Sequence, residues 1–304
     1  METSQVSDAF PSLSALRLVA TDLDGTLLRS DKTISEYTSS VLQRLRAAGV
    51  VIVPISARPP RTLRHFGLAD SIGGLAICCN GAIIYDMDRD CPLQQQVLAP
   101  PQVEQLIALL HGSLPGLSFA GESGIDAICE AAFYAHASAS DPQPPRIVDR
   151  SEICQIPQIK ILVHHETMLA DELHEHFTPL LDSGVYSMTY SSLRFLEISP
   201  GGVHKGDALA ALSEQLGIAA HEVVAFGDMP NDLPLLRWAG LGVAVANAHP
   251  LVLQAADVVT LSNEEDGVAH MLERILEEGL ETAKDEGQPQ GPRTASQATP
   301  CPYR

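Results

Sequence analysis

The chain has 304 residues, of which 45% are hydrophobic and 19% are charged. This composition supports a sizeable hydrophobic core and excludes a chain that is disordered throughout. Its 38 acidic residues outnumber 19 lysines and arginines, which gives a formal net charge of −19. Because this charge repels nucleic acids and anionic membrane surfaces, we expect neither as a partner. A small anionic substrate would need a local positive charge, such as a metal ion.

The cysteines and the N-terminal residues indicate where in the cell the protein is located. The six cysteines are scattered and form no CxxC pair, which favours a reduced setting over a disulfide scaffold. The opening METSQVSDAF has no basic region followed by an apolar one, as a signal peptide would. No apolar stretch reaches the length of a transmembrane helix. These features predict a cytoplasmic location, and the sequence leaves the oligomeric state open.

The first part of the chain alternates short apolar runs with helical segments, which is typical of a parallel α/β sheet. Strands are predicted over residues 16–21, 50–55 and 75–79. A capping-box pattern from Thr33 to Glu36 predicts the start of a helix, and Gly49 predicts its end. The apolar runs are nearly continuous, as expected for strands covered on both faces.

The middle of the chain differs from both ends, because short strands surround single helices there, as in an antiparallel sheet backed by helices. Its predicted strands are residues 83–85, 117–120, 125–129, 159–163, 185–189 and 193–198, with helices from Gln102 and over 168–181. The parallel pattern resumes after Pro200, with helices over 205–216 and 267–278 and strands over 222–226, 242–245 and 257–259.

The expected fold class is therefore α/β, a Rossmann-like parallel-sheet core with an inserted α/β cap domain. We expect residues 1–84 and 199–282 to form the core and residues 85–198 to form the insertion. Residues 1–14 are expected to be flexible. The Pro-, Gln- and Gly-rich residues 283–304 are expected to form a disordered tail.

Polar residues recur where the predicted core strands end, and open parallel sheets bind ligands beyond the carboxyl ends of their strands. If these ends converge, several carboxylates crowd one crevice, and a hard cation such as Mg²⁺ would relieve their repulsion. A serine hydroxyl, backbone N–H groups and a lysine could hold phosphate, and aspartate is a competent nucleophile. The candidate residues are Asp22, Asp24, Ser56, Ala57, Arg58, Asn80, Lys205, Asp228, Asn231 and Asp232.

Four motifs occur in the order DLDGTL, SAR, a solitary lysine before a helix, and GDMPND. This order resembles the haloacid dehalogenase-like phosphohydrolases, and most of all the Cof-like subfamily, whose α/β cap is inserted between the second and third motifs. The stretches CNGAIIYD and EISPGGVHKGDAL resemble that subfamily too. The resemblance covers about residues 16–280. Four ordered motifs are far more specific than a single one.

The resemblance implies a role for each motif residue. Asp22 would attack phosphorus, and Asp24 would protonate the leaving oxygen and then activate water. Mg²⁺ would lie on the carboxylates of Asp22 and Asp228 and on the backbone carbonyl of Asp24.

Further residues would hold the phosphoryl group. The resemblance assigns this role to Ser56, the Ala57 amide, Lys205 and Asn231, although the family usually has glycine in place of Ala57. Asp232 would orient Lys205 or a metal-bound water, and Asn80 would support the site. Arg58 suits either substrate contact or a salt bridge.

The resemblance thus implies a Mg²⁺-dependent phosphatase acting on a small phosphorylated metabolite, with sugar phosphates as the favoured class. Two alternatives stay open, a phosphomutase of the same superfamily and a non-catalytic protein that binds a phosphate ligand. The cap residues that set specificity are not evident from spacing, although Glu122, Tyr134, Lys160 and Arg194 are candidates. The pair His164–His165 is expected at the surface. A role for Asn247 in the active-site loop is open.

Overall fold

The computed structural model describes residues 16–63, 66, 72–136 and 143–286. Residues 1–14, expected to be flexible, lie outside this part of the chain, as does the expected tail beyond Glu286. The strands of the described part are β1 Leu18–Asp22, β2 Val51–Ile55, β3 Leu75–Cys78, β4 Ile83–Asp86, β5 Cys91–Gln95, β6 Leu117–Glu122, β7 Ala127–Cys129, β8 Arg146–Ile147, β9 Lys160–His165, β10 Tyr186–Thr189, β11 Leu196–Pro200, β12 Val223–Gly227, β13 Leu241–Ala244 and β14 Val258–Val259.

The helices alternate with these strands in the order that the sequence pattern indicates. They are α1 Glu36–Ala47, α2 Pro60–Leu63, α3 Pro100–Ser113, α4 Ala131–Tyr134, α5 Arg150–Ile153, α6 Ala170–Phe177, α7 Lys205–Leu216, α8 Leu233–Trp238, α9 Pro250–Ala255 and α10 Gly267–Glu286. The last helix continues past its predicted end at residue 278 and includes the first four residues of the expected tail.

The larger sheet has eight strands in the order β14-β13-β12-β1-β2-β3-β4-β5. Its strands from β14 to β3 pair in parallel, whereas β4 and β5 pair antiparallel at one edge. All five residues of β1 are buried, as expected for a central strand covered by helices on both faces. The predicted α/β class with a parallel-sheet core is confirmed.

The smaller sheet has six strands in the order β10-β11-β9-β6-β7-β8, antiparallel except for the short β7–β8 pair. Helices α3 and α6 pack on it through buried side chains such as Leu106 and Phe177, which form a second hydrophobic cluster. The sequence pattern of strand pairs around single helices predicts this arrangement correctly.

The inserted domain starts later than predicted, because β4 and β5 are edge strands of the larger sheet. The sequence predicts residues 85–95 in the inserted domain, but Tyr85 packs in the core cluster and β5 pairs with β4 in the larger sheet. A short apolar hairpin has the same sequence pattern in either sheet, so the pattern could not assign it. We infer that the inserted domain is the segment between Gln95 and Pro200.

The start of α1 also differs from the prediction. The side chain of Ser35 accepts a hydrogen bond from the Thr38 amide and caps the helix. Thr33, predicted to be the cap, instead donates its hydroxyl to Asp31, so the capping box from Thr33 to Glu36 is wrong. Both threonine and serine favour this position, and the competing bond to Asp31 decides between them.

Two further findings concern the expectations about location. Cys78, Cys79, Cys129 and Cys154 are free thiols, and Cys91 is disulfide-bonded. Among the described residues, no helix combines the length and the apolar character needed to cross a membrane.

Candidate active site

The ends of β1 and β12 and the start of α7 meet at one edge of the larger sheet. Asp22 is the last residue of β1, Asp228 directly follows β12, and Lys205 begins α7. The Lys205 ammonium donates to Asp22 Oδ1 at 2.6 Å and to Asp232 Oδ1 at 2.5 Å. The lysine is completely buried, so both ion pairs are shielded from water. The structure thus joins residues that lie 183 positions apart in the chain.

Three aspartates form a cluster beside this lysine. One carboxylate oxygen each of Asp22, Asp228 and Asp232 lies within 4.8 Å of the others. Burial raises the pKa of Asp22 well above its usual value, against the effect of Lys205, and the charges of the other two aspartates raise it further. Burial and Asp232 raise the pKa of Asp228 to about 7. Burial and mutual repulsion thus disfavour the ionised carboxylates, and Lys205 offsets this only in part.

This cluster fits a hard divalent cation. Its donors are all oxygens, and the raised pKa values of Asp22 and Asp228 show that added positive charge would stabilise the ionised carboxylates. Asp232 is the member most engaged by the protein, because its Oδ2 accepts from the amides of Asp228 and Met229, both at 3.0 Å. Asp22 and Asp228 are therefore the better candidates for metal ligands.

The turn after β1 is built to hold Asp228. The Thr26 hydroxyl donates to Asp228 Oδ1 at 2.7 Å. Gly25 has a φ of +80°, and a Cβ at this position would lie 2.5 Å from Asp228 Oδ2. Asn247, whose role was open, donates to the Gly25 carbonyl at 2.7 Å. Both Gly25 and Asn247 thus maintain the contact between the first and last motifs.

Asp24 points to a different set of partners. Arg58 donates to Asp24 through Nε at 2.5 Å and through Nη2 at 3.0 Å, and Lys32 donates at 2.6 Å. Burial alone would raise the pKa of Asp24, but its bonds to Arg58 and Lys32 lower it overall. Arg58 is therefore in a salt bridge in this state. Lys32 was not predicted, because it lies in a polar turn with no motif around it.

Ser56, Asn80 and Asn231 form a hydrogen-bonded chain toward the cavity. Ser56 Oγ accepts from the Arg58 amide at 3.1 Å, and the Asn80 amide donates to the Ser56 carbonyl. Asn231 donates to Asn80 Oδ1 at 3.0 Å, while its own Oδ1 is buried and lacks a partner. An unpaired buried oxygen beside a cavity is a group that a ligand or a water can satisfy.

A hydrogen bond from Lys160 and an ion pair of Arg61 join the inserted domain to the core. Lys160 donates to Glu197 Oε2 at 2.5 Å and to the core carbonyl of Ala57 at 2.8 Å. Arg61 in α2 binds both oxygens of Glu122 in β6, at 2.5 and 2.6 Å. The roles of Arg61 and Glu197 were missed at the sequence level. The available signal was charge inside apolar strand segments, as in QIKILV and RFLEISP.

A cavity of about 570 Å³ lies between the core and the inserted domain. Of the predicted site residues, its wall includes Asp22, Asp24, Ser56, Ala57, Arg58, Asp228 and Asn231. Lys205 and Asn80 line a second cavity, and the Lys205 ammonium contacts the site through its bonds to Asp22 and Asp232. His164, expected at the surface, is buried because it stacks on His136 and packs against Phe133.

Comparison with known proteins agrees with this geometry. The chain is 31% identical to the HMP-PP phosphatase of Cronobacter sakazakii, over 78% of this chain and 86% of that protein. It is 28% identical to the pyridoxal phosphate phosphatase YbhA of Escherichia coli, over 84% and 97% of the two chains. The crystal structure of a haloacid dehalogenase-like hydrolase from Bacteroides thetaiotaomicron superposes with a TM-score of 0.67, at 30% identity over 86% of this chain and 99% of that one. A family model for haloacid dehalogenase-like hydrolases matches residues 19–272, so the chain belongs to that family.

Proposed function

We propose that the protein is a Mg²⁺-dependent phosphatase that hydrolyses a small phosphorylated metabolite through an aspartyl-phosphate on Asp22. The observation that carries the proposal is the position of Asp22, which lies on the cavity wall, accepts a bond from the Lys205 ammonium and has a carboxylate oxygen within 4.8 Å of one of Asp228. Relatives named as phosphatases of small phosphorylated compounds support the reaction class. The cytoplasmic location and the exclusion of nucleic-acid and membrane partners stay predictions.

In the first step the Asp22 carboxylate attacks phosphorus, an Asp22–phosphorus bond forms, and the bond to the leaving oxygen breaks. The bond from Lys205 to Asp22 Oδ1 fixes the orientation of the nucleophile. Asp22, Asp228 and the backbone of Asp24 would hold Mg²⁺, whose charge would offset the repulsion between the carboxylates and the phosphoryl dianion. Ser56 and the Ala57 amide lie on the cavity wall, where they could bind phosphoryl oxygens.

Asp24 would transfer the protons. Its lowered pKa makes it a carboxylate in the free protein, paired with Arg58 and Lys32. Arrival of a phosphoryl dianion adds negative charge and attracts the same two cations, which raises the pKa of Asp24 and favours its protonation. Asp24 could then give its proton to the leaving oxygen. In the second step it would take a proton from the water that attacks phosphorus and releases Asp22.

The two alternatives are less well supported. A phosphomutase must hold a bound bisphosphate, but Arg146 and Arg150 of the inserted domain are already ion-paired with Glu152 and Glu130. A non-catalytic binding protein would not need a nucleophile, an acid–base group and a buried lysine in mutual contact. Hydrolysis therefore fits the site better than either alternative.

The test is phosphate release from p-nitrophenyl phosphate by the purified protein, with MgCl₂ and after treatment with EDTA. We expect release that depends on the metal and that falls about a thousandfold or more in Asp22→Asn. Activity that persists in Asp22→Asn would contradict the proposal. Interconversion of hexose phosphates without net phosphate release would support the phosphomutase instead.

A further inference from the structure

The inserted domain covers the active-site cavity with an apolar wall. Phe195 is half-buried there, and its ring packs against Phe133 with centroids 4.8 Å apart and planes 25° from parallel. Phe133 is itself held by the edge of His164. The apolar residues of this wall are Ala120, Ala127, Phe133, Pro145, Leu162 and Phe195. The side of the cavity that the inserted domain forms is therefore bordered by two packed aromatic rings.

The polar side chains of this wall are already engaged. Glu122 binds Arg61 and accepts from the Gly124 amide. Lys160 and Ser191 both donate to Glu197.

The same is true at the edge of the wall. Ser192 accepts from the Arg194 amide, and the Arg194 guanidinium donates to the His136 carbonyl. A leaving group with many hydroxyls would lose hydrogen bonds to water in this cavity and would have to compete with existing bonds to replace them. The wall therefore does not favour a sugar.

We propose that the substrate is a phosphate monoester whose leaving group carries a flat aromatic ring with few hydroxyls, and that this ring packs against Phe195. This inference rests on the proposed phosphatase function, and it replaces the sugar phosphates that the sequence favoured. Cavities of several hundred cubic ångströms lined by aromatic side chains hold ligands of this size. A flat ring gains offset or edge contacts with Phe195 that a saturated ring of the same size does not.

The test compares esters of primary alcohols, so that the leaving oxygen is chemically similar in each. The probes are benzyl phosphate, cyclohexylmethyl phosphate and glucose 6-phosphate, with acetyl phosphate as a reference that has no ring. We expect kcat/KM for benzyl phosphate to exceed that for cyclohexylmethyl phosphate by about two- to tenfold. It should exceed that for glucose 6-phosphate by more than about tenfold.

A variant links the preference to Phe195. Phe195→Leu keeps an apolar side chain but removes the ring, so the loss on benzyl phosphate should exceed the loss on acetyl phosphate by about two- to tenfold. Phe195→Tyr keeps an aromatic ring, so this variant should retain the preference for benzyl phosphate. Tyr134→Leu is the control, because Tyr134 is a 40% exposed ring of the same domain and is not among the residues of the cavity wall. Thermal melts establish that each variant is folded.

The outcomes separate this inference from the proposed function. The protein could hydrolyse acetyl phosphate and yet show a kcat/KM for glucose 6-phosphate that equals or exceeds that for benzyl phosphate. This result would overturn the inference of an aromatic substrate, while the proposed phosphatase function would stand. An equal loss on both reference and aromatic substrates in Phe195→Leu would also overturn it. If none of the four compounds is hydrolysed, the proposed function itself fails.

Discussion

The ammonium nitrogen of Lys160, in the inserted domain, lies 2.8 Å from the carbonyl oxygen of Ala57 in the core. Ala57 belongs to the loop whose amide is proposed to bind the phosphoryl group, and Lys160 is buried and ion-paired with Glu197. The inserted domain therefore fixes part of the proposed phosphoryl site in addition to covering it. This relationship makes the position of the inserted domain relevant to the chemical step.

Lys160→Met removes the bond to Ala57 while keeping an apolar stem of similar length. Because small displacements of a positioning group cost about a hundredfold in rate, we expect kcat/KM to fall by about that factor, mostly in kcat. Steady-state kinetics with p-nitrophenyl phosphate measures this. Arg146→Ala breaks an ion pair exposed on the same domain and should change neither constant. Equal activity in both variants would show that Lys160 does not position the loop.

The Arg61–Glu122 pair should hold the two domains together. Both side chains are nearly buried, so Glu122→Gln removes the carboxylate charge that binds Arg61 across the two domains and costs the closed state about 3 kcal/mol. Small-angle X-ray scattering should then give a larger radius of gyration than for the unmodified protein. Glu152→Gln, at the exposed pair with Arg146, is the matched control and should leave the radius unchanged. An unchanged radius in Glu122→Gln would mean that other contacts keep the domains closed.

The Lys160–Glu197 pair predicts a specific pH dependence. Burial opposes ionisation of Glu197, but the charge of Lys160 and the bond from it lower the pKa of Glu197 below its ordinary 4.5. A carboxyl whose pKa is lower in the folded state stabilises the protein above the ordinary pKa and loses this effect as the pH falls.

We therefore expect the unmodified protein to be more stable than Glu197→Gln at neutral pH. This difference in unfolding free energy should shrink as the pH falls below 4.5. Urea unfolding at several pH values measures it. A difference that does not vary with pH would show that Glu197 acts through packing alone.

Two glycine variants test the geometry of the proposed metal site apart from ordinary backbone strain. Gly25→Ala would push a Cβ against Asp228, so we expect the Mg²⁺ concentration that gives half-maximal activity to rise by about tenfold or more. Gly49→Ala is the control, since Gly49 has a similar φ of +86° with nothing within 4 Å of the added Cβ. It should cost about 1 kcal/mol of stability and leave the Mg²⁺ dependence unchanged. The same Mg²⁺ dependence in both variants would argue against Asp228 as a metal ligand.

Local patterns predicted the regular parts of the fold well. Helix α7 begins and ends at its predicted residues, because His204 caps its start and Gly217 adopts a φ of +64° at its end. The strand-end rule also brought Asp22 and Asp228 to one crevice, since β1 and β12 are parallel neighbours.

Contacts between distant segments were beyond the sequence. Nothing near Lys32 indicates that it binds Asp24, and Arg61 lies outside every motif although it joins the core to Glu122. The aromatic wall at Phe195 depends on the packing of the inserted sheet on the core, which periodicity does not describe. These contacts are set by tertiary packing, which the neighbouring residues in the chain do not predict.

The central claim is that Asp22 carries the phosphoryl group during turnover. The most direct measurement is an acid-quenched reaction of Asp24→Asn with ³²P-labelled p-nitrophenyl phosphate and MgCl₂. The nitrophenolate group leaves without a proton, so Asp24→Asn should be phosphorylated but should hydrolyse the phosphoenzyme slowly. We expect a burst of nitrophenolate close to one equivalent and label on the peptide that contains residue 22. Turnover by the unmodified protein, with no burst in Asp24→Asn and no label on that peptide, would contradict the account.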